Sequence, residues 1–372
     1  MESQEKIRQV IDKLFNKNIN ISNNYIFIYT PPKVGSTTLV TSLRISLVKS
    51  YNVIHIHDEV MLSVLTGIND VKIIDIINFL ANNGKTVYVI DVYRTPVERK
   101  ISEFFEKISV YHFNNREENI RNYSIKRISD RFNNLFPHLE NGDHYIDRYD
   151  ISEPISFDFD KKYTIQVLNN IKYIKLRLCD SHLWGNILST ILTTDIVMIN
   201  DYKTETKQIG ELYNRFKNEY MLPKNYFEDI KNCKYFNFYY NEEERNNYLR
   251  YWETRLCDEK IPYTNNEFDF YINLCLENQY INDIQIEHYI DNGCFCQLCN
   301  DKRKEIFFKA KRGETIFQKI VHTNVVFEKK TNSIIKGIEM INKKITDIKN
   351  RKLANKNVNK NKFAIDYKLN SR

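Results

Sequence analysis

Two short segments of this chain have residue types and spacing suited to holding an anion, and a third could supply a proton acceptor. The first is Thr30-Pro31-Pro32-Lys33-Val34-Gly35-Ser36-Thr37-Thr38, which lies between an apolar run and an amphipathic one. A strand followed by a helix here gathers backbone N–H groups at the positive end of a helix dipole, which attracts anions. Gly35 lets the backbone come close, Ser36, Thr37 and Thr38 add hydroxyl donors, and Lys33 adds a full positive charge. A nucleoside-triphosphate loop of the GxxxxGK[ST] type carries its lysine directly after the last glycine. Here the lysine stands two residues before the glycine, a poor fit to an ATPase.

The second segment runs from Arg94 through Thr95-Pro96-Val97-Glu98-Arg99-Lys100-Ile101 to Ser102. A guanidinium at a strand end offers a charged fork to a phosphate, and a helix hydroxyl completes the cradle. Taken alone, Arg-x-Pro-x-x-Arg is also an ordinary way to open a helix, with a surface ion pair. The proton acceptor comes from Asn52-Val53-Ile54-His55-Ile56-His57. In a strand, Val53, His55 and His57 share one face while Ile54 and Ile56 take the other. His57 falls at the carboxyl end, where open parallel sheets bind ligands, and an imidazole titrates near neutrality. As general base His57 ranks first, Glu59 second and Asp58 third; the competing reading is a histidine that only hydrogen-bonds within the fold. Asp91 is either a metal-site carboxylate of the kinase kind or a mid-strand aspartate satisfied by its neighbours.

Cys294, Cys296 and Cys299 put three thiols within six residues, and His288 lies six residues upstream. Together they could hold a structural zinc tetrahedrally, with Cys275 or His322 able to replace His288. The CxCxxC spacing is not that of a standard zinc finger, and free thiols in a reducing compartment are the favoured reading.

The elements that must position these residues follow from hydrophobic periodicity. A short helix is expected over 4–17, then strands over 25–30, 52–57 and 86–93, with helices over 35–48, 70–82 and from Pro96 onward. The run 86–93 is apolar on both faces, as a buried parallel strand should be. A further strand over 171–178 leads to a helix over 180–193, and helices are expected over 207–221, 224–232 and 241–255. Strand alternating with helix predicts an α/β fold with a parallel sheet. The divisions expected are an N-terminal helix (1–24), a main domain (25–258), a helical Cys-containing extension (259–328) and a basic tail (329–372).

With both segments in order, each after a buried strand and about 60 residues apart in the sequence, the chain resembles the sulfotransferases that use 3′-phosphoadenosine 5′-phosphosulfate (PAPS). Pro32-Lys33-Val34-Gly35-Ser36-Thr37 is similar to that family's 5′-phosphosulfate loop, and Arg94 with Ser102 to its 3′-phosphate motif; Phe104-Phe105 matches its usual aromatic pair. Over residues 165–255, the segment 174–188 and the Tyr/Phe-rich helices resemble the polysaccharide and capsule-type members. The resemblance implies a three-layer, P-loop-NTPase-like sulfotransferase fold and PAPS as cofactor. It further implies an acceptor hydroxyl, with sugars favoured and tyrosine or a lipid head group open. Lys33, Gly35, Ser36, Thr37, Thr38, Arg94 and Ser102 would bind the cofactor, and Lys33 would also stabilise charge on the leaving oxygen. The RKGxxGxW loop of the cytosolic members is not present, and Lys311-Arg312-Gly313-Glu314 is a faint echo of it.

Composition bounds the alternatives. The net charge of +7 is uneven: residues 329–372 carry 13 Lys/Arg against 3 Asp/Glu, leaving 42 against 45 in the rest. Such a tail could touch nucleic acid or an anionic surface, though a solvated terminus is the simpler reading. No stretch approaches the roughly 20 apolar residues of a membrane span, and the N-terminus lacks the apolar core of a signal peptide. Seven scattered cysteines fit a reducing compartment, so the cytoplasm is the expected location. Two other functions stay open at this point, a P-loop-like nucleotide kinase and a non-catalytic nucleotide- or nucleic-acid-binding protein.

Overall fold

The computed structural model describes residues 2–15, 22–47, 50–112, 116–136, 143–149, 151–152, 154, 156–199 and 207–277. The N-terminal part runs α1 (Glu2–Phe15), β1 (Asn24–Tyr29), α2 (Ser36–Ser46), β2 (Asn52–Ile56), α3 (Glu59–Thr66), α4 (Ile73–Asn82) and β3 (Thr86–Tyr93). Helices α5 (Pro96–Glu106), α6 (Ile108–Tyr111), α7 (Glu117–Ile120), α8 (Ile125–Leu135) and α9 (His144–Asp147) follow. Then come β4 (Tyr163–Leu168), β5 (Ile171–Arg177), a 3-10 segment (Leu178–Leu183) and α10 (Trp184–Leu192). The last part is α11 (Gly210–Glu219), β6 (Leu222–Pro223), α12 (Lys224–Lys231), α13 (Lys234–Tyr239), α14 (Glu242–Glu253), β7 (Leu256–Cys257) and α15 (Asn265–Glu277).

The main sheet has the order β2-β1-β3-β5-β4. Its first four strands are parallel, and β4 closes the edge antiparallel to β5. Period-2 alternation sorts the central strands onto two faces. Tyr25, Phe27 and Tyr29 of β1, with Val87 and Val89 of β3, pack under α1, α3 and α4. Ile26 and Ile28, with Ile90 and Val92, pack under α2 and α10. The expected α/β architecture, a mostly parallel sheet covered by helices on both sides, is what the chain forms.

A third core joins α5, α6, α8 and the helices after β5, and it is built largely from aromatic rings such as Phe104, Phe132, Phe216, Tyr220 and Trp252. Helix α15 belongs to it: Tyr271 and Cys275 are fully buried there, so residues expected in the extension pack with the main body. The same holds for α1, whose Ile7 and Val10 pack on the sheet with α4.

One strand of the main sheet was not expected. β4 and β5 form a hairpin whose two-residue turn, Asn169-Asn170, has both residues left-handed (φ 48° and 65°). A two-residue turn of that kind matches the twist of the strands it joins. As an edge strand β4 leaves Ile165, Val167 and Leu168 exposed, which blurs its alternation. The helix expected over 180–193 begins as a 3-10 segment and becomes α-helical only at Trp184.

At the centre, Lys175 of β5 sits between Asp91 (2.6 Å) and Asp143 (2.5 Å), with all three side chains out of solvent. Burial raises the Asp143 carboxyl above its ordinary value, Lys175 pulls it back down, and Asp91 adds to the rise. Removing the shared cation would leave two carboxylates buried together. Lys175→Met is therefore expected to cost about 3–5 kcal/mol, the usual effect of breaking a buried ion pair. Urea unfolding measures it, and a midpoint like that of the wild type would contradict the network's role.

Candidate functional site

The chain leaves β1 in one direction through α2 to β2, then crosses β1 through α3 and α4 to reach β3 on its other side. Strand order thus reverses between β1 and β3, and the crevice at such a switch point is where open parallel sheets bind ligands. The turn 30–35 and Arg94 lie at that end of these two strands.

The turn is held tightly. Thr30 is fully buried, and its hydroxyl donates to Asp91 Oδ1 at 2.6 Å. Lys33 is left-handed (φ 66°), and so is Gly35 (φ 88°), the N-cap of α2. A non-glycine residue in that region costs about 1–2 kcal/mol, so Lys33 must be held there. Part of the hold is the Arg94 guanidinium, which donates from Nη1 to the Lys33 carbonyl at 2.8 Å. Gly35 has a second constraint: a Cβ there would stand 2.9 Å from Leu178 Cδ1 and 3.0 Å from the Trp184 ring. As N-cap, Gly35 brings no side-chain acceptor to the first-turn N–H groups of α2, which have no intrahelical partner. Turns with left-handed residues of this kind form the nests in which successive N–H groups share an anion.

Charge gathers at the same place. Lys33 Nζ pairs with Glu106 Oε2 at 3.1 Å, and Lys207 Nζ reaches the same oxygen at 2.8 Å. Burial lowers the Lys33 ammonium below its ordinary value; Glu106 opposes that shift, and Lys207 and Arg94 add to it. Burial opposes ionisation of Glu106, but Lys33 and Lys207 outweigh it and hold the carboxyl below its usual range. The structure therefore brings Lys33, Gly35, Ser36, Thr37, Thr38 and Arg94 to one mouth. Ser102 lies two turns along α5, 5% exposed, and among the described residues no hydrogen bond joins it to Arg94 or to the loop. Glu106 and Lys207 escaped the sequence reading.

His57 follows directly on β2, and its Nδ1 lies 2.6 Å from the Thr30 carbonyl. A carbonyl can only accept, so Nδ1 carries the proton and Nε2 is the basic nitrogen of the neutral ring. His55 stands edge-on to it at 4.4 Å, and burial, His57 and Arg44 hold His55 well below its ordinary value. Glu59 instead accepts from the Tyr29 hydroxyl at 3.3 Å and pairs with Arg148 at 3.6 Å. Asp58 caps α3 by accepting from Met61 N at 2.7 Å, a structural duty. Asp91 accepts from Thr30, Val92 N, Lys175 and Tyr145 N, which fills the four sites of a carboxylate. It is the satisfied mid-strand aspartate of the two readings.

One strand beyond β3, Arg177 ends β5 as Arg94 follows β3. It is fully buried, pairs with Glu244 through two bonds (2.7 and 2.9 Å) and with Asp180 at 2.6 Å, and so braces the helices after β5.

His288, Cys294, Cys296 and Cys299, and the tail 329–372, lie outside the described residues. Among the described residues no group of three or more His, Cys, Asp or Glu is placed to hold a metal, and no helix is long and apolar enough to cross a membrane. None of the four described cysteines forms a disulfide. Comparison with protein-family models, with curated proteins and with solved structures finds no match for this chain.

Gly35→Ala is expected to lower stability by about 1–2 kcal/mol from the left-handed backbone alone, with the clash against Leu178 and Trp184 adding to it. An unchanged urea midpoint would show the turn to be looser than its geometry. Glu106 yields a pH dependence. Its folded-state pKa is depressed, so its contribution to stability is present above the unfolded value of about 4.3 and is lost as pH falls through the folded one. The Tm gap between wild type and Glu106→Gln should accordingly be open at neutral pH and close below about pH 4. A gap that widens on acidification would reverse the sign and refute the pairing.

Proposed function

We propose that this chain is a sulfotransferase, taking the sulfuryl group of PAPS to an acceptor hydroxyl, with carbohydrate the favoured acceptor. The observation that carries the reading is the hydrogen bond from Arg94 to the Lys33 carbonyl. It joins the two motif segments into one cationic mouth at the sheet's switch point.

The residues present suit an adenosine bisphosphate. Gly35 opens α2 in a left-handed conformation without a side-chain cap, so the first-turn N–H groups have no intrahelical partner and can meet an anion. Lys33, Ser36, Thr37 and Thr38 would hold the 5′ end, with Arg94 and Ser102 at the 3′-phosphate; reaching Ser102 requires α5 to expose a hydroxyl now buried. PAPS supplies an activated sulfur–oxygen bond to the bisphosphate leaving group. In the transfer that bond breaks, a new one forms from sulfur to the acceptor oxygen, and the hydroxyl proton must leave. His57 Nε2 is assigned as its acceptor, in the tautomer fixed by Thr30. Lys33 is assigned to the charge on the leaving oxygen, where a fixed cation matters most in the transition state. The cytoplasm, a reducing compartment, is the proposed location.

The kinase reading loses its best residue, because Asp91 has no acceptor site left for a metal or its water. A nucleic-acid role for the tail would show as steeply salt-dependent DNA binding that disappears when 329–372 is deleted.

Calorimetric titration with 3′-phosphoadenosine 5′-phosphate tests the reading first: the wild type should bind it and should not bind ATP–Mg²⁺ comparably. Arg94→Ala should weaken the bisphosphate by about tenfold to a hundredfold, the cost of a lost charge-assisted bond, and unchanged affinity would remove Arg94 from the 3′ site. In an acceptor screen with labelled PAPS, His57→Ala should abolish transfer while sparing bisphosphate affinity. Near-normal transfer by that variant would disqualify it as the base.

A further inference from the structure

We propose that Glu106 is an internal stand-in for the donor's anionic group, and that Lys207, released when the donor displaces Glu106, becomes a second cation clamping it beside Lys33. The inference rests on the sulfotransferase reading of the same mouth, and it adds a residue and a regulatory contact that reading does not contain.

The geometry is that of a small anion site already filled. Two ammonium groups from segments far apart in sequence converge on a single oxygen, Glu106 Oε2, at 3.1 and 2.8 Å. Convergence on one atom differs from the usual surface pair, in which each cation finds its own carboxylate. The side chains are partly sheltered, 17% exposed for Lys33 and 25% for Lys207, so their attraction is less screened than on an open surface. Beside them Arg94 is bonded to the Lys33 carbonyl, which adds a third cation in the neighbourhood of Lys33. Lys207 and Arg94 both disfavour the charge on Lys33, in keeping with two cations near it. Such a cluster holds together only with an anion among the cations.

Glu106 is also an odd residue for its position. It is the last residue of α5, where the helix dipole disfavours negative charge. Lys33 and Lys207 compensate for that placement, and a ligand that takes them removes the compensation. With a 36% exposed side chain, Glu106 can swing into solvent without unpacking a core. A phosphosulfate offers several anionic oxygens to the same two ammoniums and to the α2 amides, which a single carboxylate oxygen cannot reach. Displacement thus breaks the two ion pairs of one half-exposed carboxylate and offers both ammoniums to the donor in its place.

The test is calorimetric titration of 3′-phosphoadenosine 5′-phosphate into full-length wild type, Glu106→Gln and Lys207→Met, each checked for a native thermal transition. Glu106→Gln should bind about tenfold more tightly because no internal carboxylate competes, and Lys207→Met about tenfold more weakly; each tenfold corresponds to about 1.4 kcal/mol. Glu106→Gln should do so while losing some ligand-free thermal stability, a combination that a merely structural latch would not give. If the wild type binds the bisphosphate and Glu106→Gln binds equally or more weakly, the stand-in role is overturned while the sulfotransferase reading survives. If Lys207→Met leaves affinity unchanged, the second clamp is overturned. A wild type that binds no bisphosphate sinks the parent reading, and this one with it. Should Glu106→Gln lack a native transition, Glu106→Asp, with a carboxylate too short to bridge both lysines, is expected to tighten binding in the same direction, and failure to do so overturns the proposal.

Discussion

Lys175 Nζ lies between the carboxylates of Asp91 and Asp143 in a place that water does not reach. Burying three charges is expensive, and their mutual attraction offsets the cost only when every remaining hydrogen-bonding site is used. Here they are. Asp91 takes four bonds, Asp143 also accepts from Ile146 N and the Tyr239 hydroxyl, and the Tyr239 ring stands 4.7 Å from the ammonium. The knot joins β3, β5, α9 and α13, and through the Thr30 hydroxyl it reaches the start of the 30–35 turn. An apolar core could pack these strands equally well. It could not fix the direction in which Thr30, Tyr145 and Tyr239 present their polar groups.

The strain at the turn follows from that anchoring. Thr30 is pinned to Asp91 below, while Gly35 is pressed between Leu178 and Trp184, whose indole N–H is tied to the Arg177 carbonyl at 3.1 Å. Between two fixed ends the chain passes through two left-handed residues, one of them a lysine. Backbone strain of this kind persists only where surrounding structure over-determines it, and it clusters at ligand sites. Arg94 supplies the last hold, so the second segment has a structural duty of its own. It maintains the shape of the first.

Much of this was legible in the sequence because it is local. The run 86–93 is apolar on both faces apart from Asp91 and forms β3 over that range, as a buried parallel strand does. The alternation Val53, His55, His57 against Ile54, Ile56 survives in the buried pattern of β2. Asn169-Asn170 between two alternating runs was a readable hairpin signal, but the exposed Ile165 and Val167 made the first run look irregular. Lys207 and Glu106 could not have been paired from sequence. They are 101 residues apart, lie in different elements, and carry no periodicity that links them. Packing of α15 was hidden for a similar reason: Tyr271 and Cys275 enter the core through contacts with α6 and α8, and nothing in residues 259–277 alone marks them as part of the main body.

Thr30 shows why proposed base and proposed cation can keep a fixed relation. Its hydroxyl bonds Asp91 and accepts from Val92 N, its N–H reaches the Ile56 carbonyl, and its carbonyl takes the Nδ1 proton of His57. One buried residue therefore ties β1 to both neighbouring strands and sets the tautomer of the imidazole, three residues before Lys33. Catalytic groups held on rigid strands and locked by further hydrogen bonds keep their geometry far better than groups on independent loops. A reaction that consists mainly of positioning a donor against a hydroxyl and stabilising charge would profit from this arrangement. The imidazole cannot leave its place without losing the bond to the Thr30 carbonyl, at the strand end that leads to Lys33.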